Sequence, residues 1–204
     1  MKIRVATLCG ITCLVFAQAA LAAGRDRLPY TGVEASMGRV LSDNSTVGAD
    51  WLGLRASLDL AGPVFVSASR TEIESDAQDP ASLIYSAKLR LSRFDLGLHF
   101  GNDSTANFVP SISLVETRAE LNSNFFFFEP HSETGWAART AVRALVASWL
   151  ELGAHLEMLM ISDDMSTTAA AEAILYPLRH VGVGVAFETS EGQQAVMARL
   201  RLVQ

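Results

Sequence analysis

Between Val181 and Glu188 the chain reads VGVGVAFE, and this two-residue rhythm constrains its fold more than any other feature. A period of two belongs to an extended strand, whose side chains alternate between the two faces of a sheet. Here every second residue is greasy, and the residues between are glycine, alanine or a carboxylate. The same rhythm recurs in DWLGLRASLDL (50–60), RFDLGLHFG (93–101), WLELGAHLEMLM (149–160) and AVMARLRLVQ (195–204). Ten strands are predicted, at about 30–41, 50–60, 64–75, 88–101, 107–118, 134–145, 149–160, 168–177, 180–189 and 194–203. No helical period competes with them in the region after residue 24.

Each segment is close to the ~9–11 residues a tilted strand needs to cross a bilayer. Connections at 61–63, 102–107, 146–148 and 177–180 are short. Those at 42–49, 76–87, 119–133 and 161–167 are longer and polar, and 190–193 alone is brief where a longer loop is expected. Short turns at one end and longer loops at the other are the plan of a membrane barrel. The predicted fold is therefore all-β: a closed antiparallel transmembrane β-barrel of ten strands, with eight as the fallback if 88–101 or 168–177 is misread. Valine and leucine then face lipid, and the small residues face a narrow interior. Closure leaves no unpaired backbone edge in hydrocarbon. A soluble β-sandwich or lipocalin-like barrel also alternates, but it needs large aromatics inward and a polar face rich in lysine and glutamate. After the first 22 residues Lys88 is the only lysine.

The first 22 residues read as a signal peptide: Lys2 and Arg4, an apolar run from Val5 to Phe16, then Ala20-Leu21-Ala22. Residues 23–204 form the barrel domain, exported through the inner membrane to the outer membrane. Both cysteines, Cys9 and Cys13, fall in the leader, so the exported part has no disulfide. With Lys2 and Arg4 removed, acidic side chains outnumber basic ones by 22 to 14, and no basic run remains to hold nucleic acid.

Charged residues placed on the inward face are Glu34, Arg55, Asp59, Lys88, Arg90, His99, Arg139, Arg143, Glu151, His155, Glu157, Glu172, Glu188, Arg199 and Arg201. Opposite charges in a narrow interior pair into a plug; the rival reading is a gated pore whose charges select ions. Phe125, Phe126, Phe127 and Phe128 stand together in a predicted outer loop, where exposure in water costs ~1.5–3 kcal/mol for each ring. They read as part of an aromatic girdle or as a contact with lipid or a partner. Trp51, Trp136, Trp149 and Tyr176 read as further interface anchors. His131, beside Glu129, Ser132 and Glu133, and the pair Asp163 and Asp164 are the loop residues from which a rim hydrolase would be built. No barrel-enzyme motif accompanies them. No catalytic, cofactor or metal site is predicted.

With leader, strands and loop rhythm assembled, the chain resembles the small Gram-negative outer-membrane β-barrel proteins, the OmpA-like and related families of eight to ten strands. The resemblance runs from YTGVEASMGRV (30–40), through the DWLGLRASLDLAGPVFVSASRTE hairpin (50–72), to VMARLRLVQ (196–204). It implies both termini on the periplasmic side and outer-membrane lipid as the surroundings. Such families host adhesins, enzymes, narrow channels and structural proteins. The expectation is a non-catalytic structural or surface-interaction protein whose outer loops contact lipopolysaccharide or surface proteins. The alternatives are a narrow channel for small solutes or ions and a rim-located hydrolase of lipid or peptide. The chain departs from the resemblance at its end, where Gln204 stands in place of a terminal aromatic residue.

Overall fold

The computed structural model describes residues 28–42, 49–78, 84–102, 105–123 and 129–204. The expected leader (residues 1–22) and Phe125–Phe128 lie outside these residues. The described chain is a single antiparallel sheet without helices: β1 Gly32–Ser42, β2 Ala49–Asp59, β3 Val64–Gln78, β4 Ile84–Leu98, β5 Phe100–Asn102, β6 Ala106–Ser123, β7 His131–Ala147, β8 Leu150–Ile161, β9 Asp164–Leu178, β10 Val181–Ser190 and β11 Gln193–Val203. β1 pairs with both β2 and β11, and β4 pairs with both β3 and β6, so the ring closes. β5 continues β4 against β6 in one register, with Gly97 opposite Ser111 and Phe100 opposite Phe108, so the wall has ten staves. Followed once around the ring, the registers climb by about 12 residues along β1, the stagger that tilts barrel strands by roughly 35–45°.

The rhythm of VGVGVAFE has a direct structural meaning. Val185 and Phe187 stand exposed on the outer face, whereas Gly182 and Ala186 are buried inside. A Cβ at Gly182 would lie 2.8–2.9 Å from Ile174 and Tyr176, so at this level the interior is already full. Along β6 the contrast is sharpest. Ile112 and Leu114 are 63% and 71% exposed, while Ser113 between them is buried. More than two dozen large apolar side chains stand exposed, nearly all on the outer face. Even at half the ~1.5–3 kcal/mol of full burial, their hydration would exceed the ~5–15 kcal/mol net stability of an ordinary domain. The outer wall is built for hydrocarbon.

Several boundaries differ from expectation. The segment 161–167 is not a long polar loop, because β9 begins at Asp164 and only Ser162 and Asp163 connect it to β8. Ser162 (φ 54°) makes that tight turn, and Glu191 (φ 34°) with Gly192 (φ 82°) makes the next. Asp163 and Asp164 therefore sit at a hairpin tip. β3, β4, β6 and β7 run to 15–18 residues, longer than the pattern suggested, and carry one side of the wall further toward the loop rim. Two expected interface anchors face inward. Tyr176 is fully buried, and Trp51 packs beside Met197 and donates to Ser36 (3.3 Å).

Candidate functional site

Inside the wall, opposite charges meet in three groups. In the first, Glu151 has no exposed side-chain surface and receives Arg143 Nε (2.8 Å), Arg201 Nη1 (3.0 Å) and the Tyr176 hydroxyl (2.7 Å). Arg201 also reaches Glu34 (2.6 Å), which Arg199 bridges (3.1 Å) to Glu172. Five staves thus converge on one network. In the second group Arg55 binds Asp95 (3.2 Å), whose carboxylate also accepts the hydroxyls of Ser67 and Ser113 (2.6 Å). The third crosses the interior. Arg93 on β4 holds Glu157 on β8 through both guanidinium nitrogens at 2.6 Å, and Arg139 stands beside Glu157 (3.8 Å) and His155 (2.8 Å). Glu188 lines the same region from β10.

The turn rim is filled by the chain itself. Leu28, Pro29 and Tyr30 are buried before β1 starts, and Leu28 and Tyr30 pack with Phe65 of β3 and Val109 of β6. Tyr30 stacks on His99 with ring centroids 4.3 Å apart, lies under the Arg143 guanidinium at 4.7 Å and accepts Asn107 Nδ2 at 2.9 Å. Arg143 also donates to the Pro29 carbonyl (2.9 Å). Asp59 stands 3.6 Å from His99 at this end. Two cavities of about 100 and 110 Å³ flank the charged layer, the first bordered by Pro29 and Tyr30, and both are lined by Arg55, Arg139 and Arg199.

Thirteen of the charged residues expected inside occupy inward positions; Lys88 and Arg90 do not. They share the parity of Phe94 and Leu96, which stand exposed on the outer face, and no register shift separates them from these residues. Both lie outside the wall in a ladder across β3, β4 and β6. Lys88 meets Glu72 (3.0 Å), Arg90 meets Glu72 (3.2 Å) and Glu120 (2.9 Å), and Arg70 and Arg118 flank it at 3.0 and 3.1 Å. The interior residues that sequence reasoning missed, Arg93 and Asp95, follow from the same parity. Ser67, Ser113, Asn107 and Tyr30 had no signal of their own, because small polar or aromatic residues occur on either face.

His131 meets Glu133 (3.1 Å), both exposed at the start of β7. Ser132 donates instead to the Thr117 carbonyl (3.2 Å) and to Glu116 (3.4 Å). Adjacent strand residues point to opposite faces, so the two do not assemble as nucleophile and base. Among the described residues no cluster of three potential metal ligands occurs.

No protein-family model and no curated protein matches the chain. Solved structures do. The NanC porin superposes with a TM-score of 0.50 at 8% identity, over 84% of this chain and 98% of NanC. The translocator domain of the autotransporter NalP from Neisseria meningitidis gives 0.47 at 7% identity, over 97% and 95% of the two chains. Ail, the attachment invasion locus protein of Yersinia pestis, solved with the heparin analogue sucrose octasulfate, gives 0.46 at 13%, over 84% and 99%. With the closed ring of ten staves, the likeness to NanC gives this chain the fold of an outer-membrane β-barrel.

Proposed function

We propose that this chain, having the fold of an outer-membrane barrel, serves a non-catalytic structural or surface-interaction role, its lumen closed and its loop rim facing outward. On this reading the leader directs export, the strands sit in outer-membrane lipid, and the loops meet lipopolysaccharide or surface proteins. The observation that carries it is the filled interior. Arg93 and Glu157 bridge β4 and β8 across the two staves between them, and Leu28–Tyr30 lie buried at the turn rim. A selective pore needs ion-binding groups along a continuous water path. The two cavities that flank the charged layer are small, about 100 and 110 Å³, and arginine side chains stand between them.

Planar-bilayer recording on the refolded protein tests this. The closed-lumen reading predicts no steady conductance steps for the wild type over a wide voltage range. It predicts small steps once Leu28 and Tyr30 are both changed to Ala. Regular steps from the wild type would replace it with the narrow-channel reading.

A further inference from the structure

The charged ladder lies on the wrong side of the wall for a lumen function. Arg70, Glu72, Lys88, Arg90, Arg118 and Glu120 share the outward parity of the lipid-facing residues and sit toward the loop rim. With Glu74, 3.7 Å from Lys88, and Glu116 on the same face, they form a chain of alternating charge, four basic and four acidic groups, across three neighbouring staves. Arg70 and Arg118, at its flanks, keep 59% and 51% of their side chains exposed, so their remaining guanidinium donors point away from the protein. At the same end of β9–β11 the outward positions are uncharged, among them Met165, Thr167, Thr189 and Gln194. The ladder runs over β3, β4 and β6, with Arg39 and Asp50 facing outward opposite one another on the neighbouring β1 and β2.

A second feature lies on the same wall. A concave apolar hollow of about 850 Å³ crosses the outer face, lined by Leu96, Pro110, Ile112, Ala138, Thr140 and Leu156. Ala138 and Thr140 are the small floor, and the leucines and isoleucine are its banks. Ile112 and Arg118 lie on one stave six residues apart, roughly 20 Å along the strand at ~3.4 Å per residue. With a tilt of about 40° this becomes about 15 Å along the membrane normal, half of the ~30 Å hydrocarbon core. The hollow therefore sits at acyl-chain depth when the ladder sits at headgroup depth.

We infer that ladder and hollow together form one binding site for an acylated glycolipid carrying phosphate groups, held on the outer wall from β3 through β4, β6 and β7 to β8. Arginine forks suit phosphate oxygens. The interleaved glutamates suit the divalent cations that bridge neighbouring phosphates in an anionic leaflet. A purely basic patch would match the phosphates alone; the alternating ladder matches the bridged array. This inference rests on the outer-membrane reading above and relocates its lipid contact from the loops to the wall.

The test is native mass spectrometry of the full exported chain in detergent, with bis-phosphorylated lipid A as the probe. Its dephosphorylated form and phosphatidylglycerol serve as comparators. The wild type is expected to retain the bis-phosphorylated form at least about tenfold better than either comparator. Arg70→Gln with Arg118→Gln, two exposed flanking changes that leave the interior intact, is expected to erase that preference. Ala138→Leu with Thr140→Leu, which fills the hollow, is expected to weaken retention of both lipid A forms alike. Each variant is first checked for the gel migration of the folded wild type; if the hollow variant fails that check, Thr140→Val replaces it. Equal retention of the dephosphorylated form, an unchanged preference in the ladder variant, or displacement by inorganic phosphate alone would overturn the inference. Conductance recordings do not depend on it, so failure here and failure of the closed-lumen reading are separately visible.

Discussion

The interior network and the outer ladder are made of the same residue types, arginine against glutamate, on opposite sides of one sheet. Inside, Glu151 is wholly buried and Glu157 is 6% exposed, and each is held by more than one donor. Outside, the flanking arginines are more than half exposed and each makes a single ion pair. The difference teaches that charge alone says little about its worth; the medium behind it decides. Removing one partner of a buried pair strands the other and costs ~3–5 kcal/mol, whereas an exposed pair contributes ~0.2–1 kcal/mol.

The largest effect is expected for Glu151→Ala, which leaves Arg143 and Arg201 facing each other without their shared carboxylate. Urea unfolding in micelles should show a loss of ~3–5 kcal/mol; a loss below ~1 kcal/mol would make the interior equivalent to the ladder. Tyr30→Ala comes next. The ring packs against Phe65 and His99, and its loss should cost about 3 kcal/mol, at the lower end of aromatic truncations in cores. A cycle of Arg93→Met and Glu157→Leu sharpens the comparison. Each single change should destabilise by several kcal/mol, but the double change should cost clearly less than the sum of the two, because an apolar pair replaces the ion pair and only Arg139 loses its carboxylate. Smallest is Glu120→Gln in the ladder, at ~1 kcal/mol or less and reduced further by added salt. Salt should leave the Glu151→Ala deficit nearly unchanged.

Much of the wall was legible because its cause is local. A strand in lipid must alternate, and the alternation of DWLGLRASLDL or VGVGVAFE declares both faces without reference to anything distant. The same rule, applied strictly from Phe94 backward, places Arg93 inside and Lys88 and Arg90 outside. Lys88 and Arg90 are expected inside only on the assumption that a charged residue must avoid the outer face. That assumption fails where the wall rises beyond the hydrocarbon, as β3, β4 and β6 do. Other features depend on closure. Arg93 finds Glu157 sixty-four residues away only because the curvature and stagger of the ring bring β4 and β8, three staves apart, to the same level. No local pattern encodes that meeting. Leu28–Tyr30 likewise looked like the approach to a strand, and became the filling of the turn rim once β3 and β6 supplied Phe65 and Val109.

The most direct check of the account is a fluorescence scan along β6 in vesicles containing brominated lipid. Residues 23–204 contain no cysteine, so in that span single cysteines labelled with an environment-sensitive dye at Ile112, Ser113, Leu114 and Val115 report their own surroundings. Strong quenching at Ile112 and Leu114 with little at Ser113 and Val115 is the predicted outcome. Uniform quenching, or quenching at Ser113 and Val115 instead, would contradict a wall whose greasy face meets lipid.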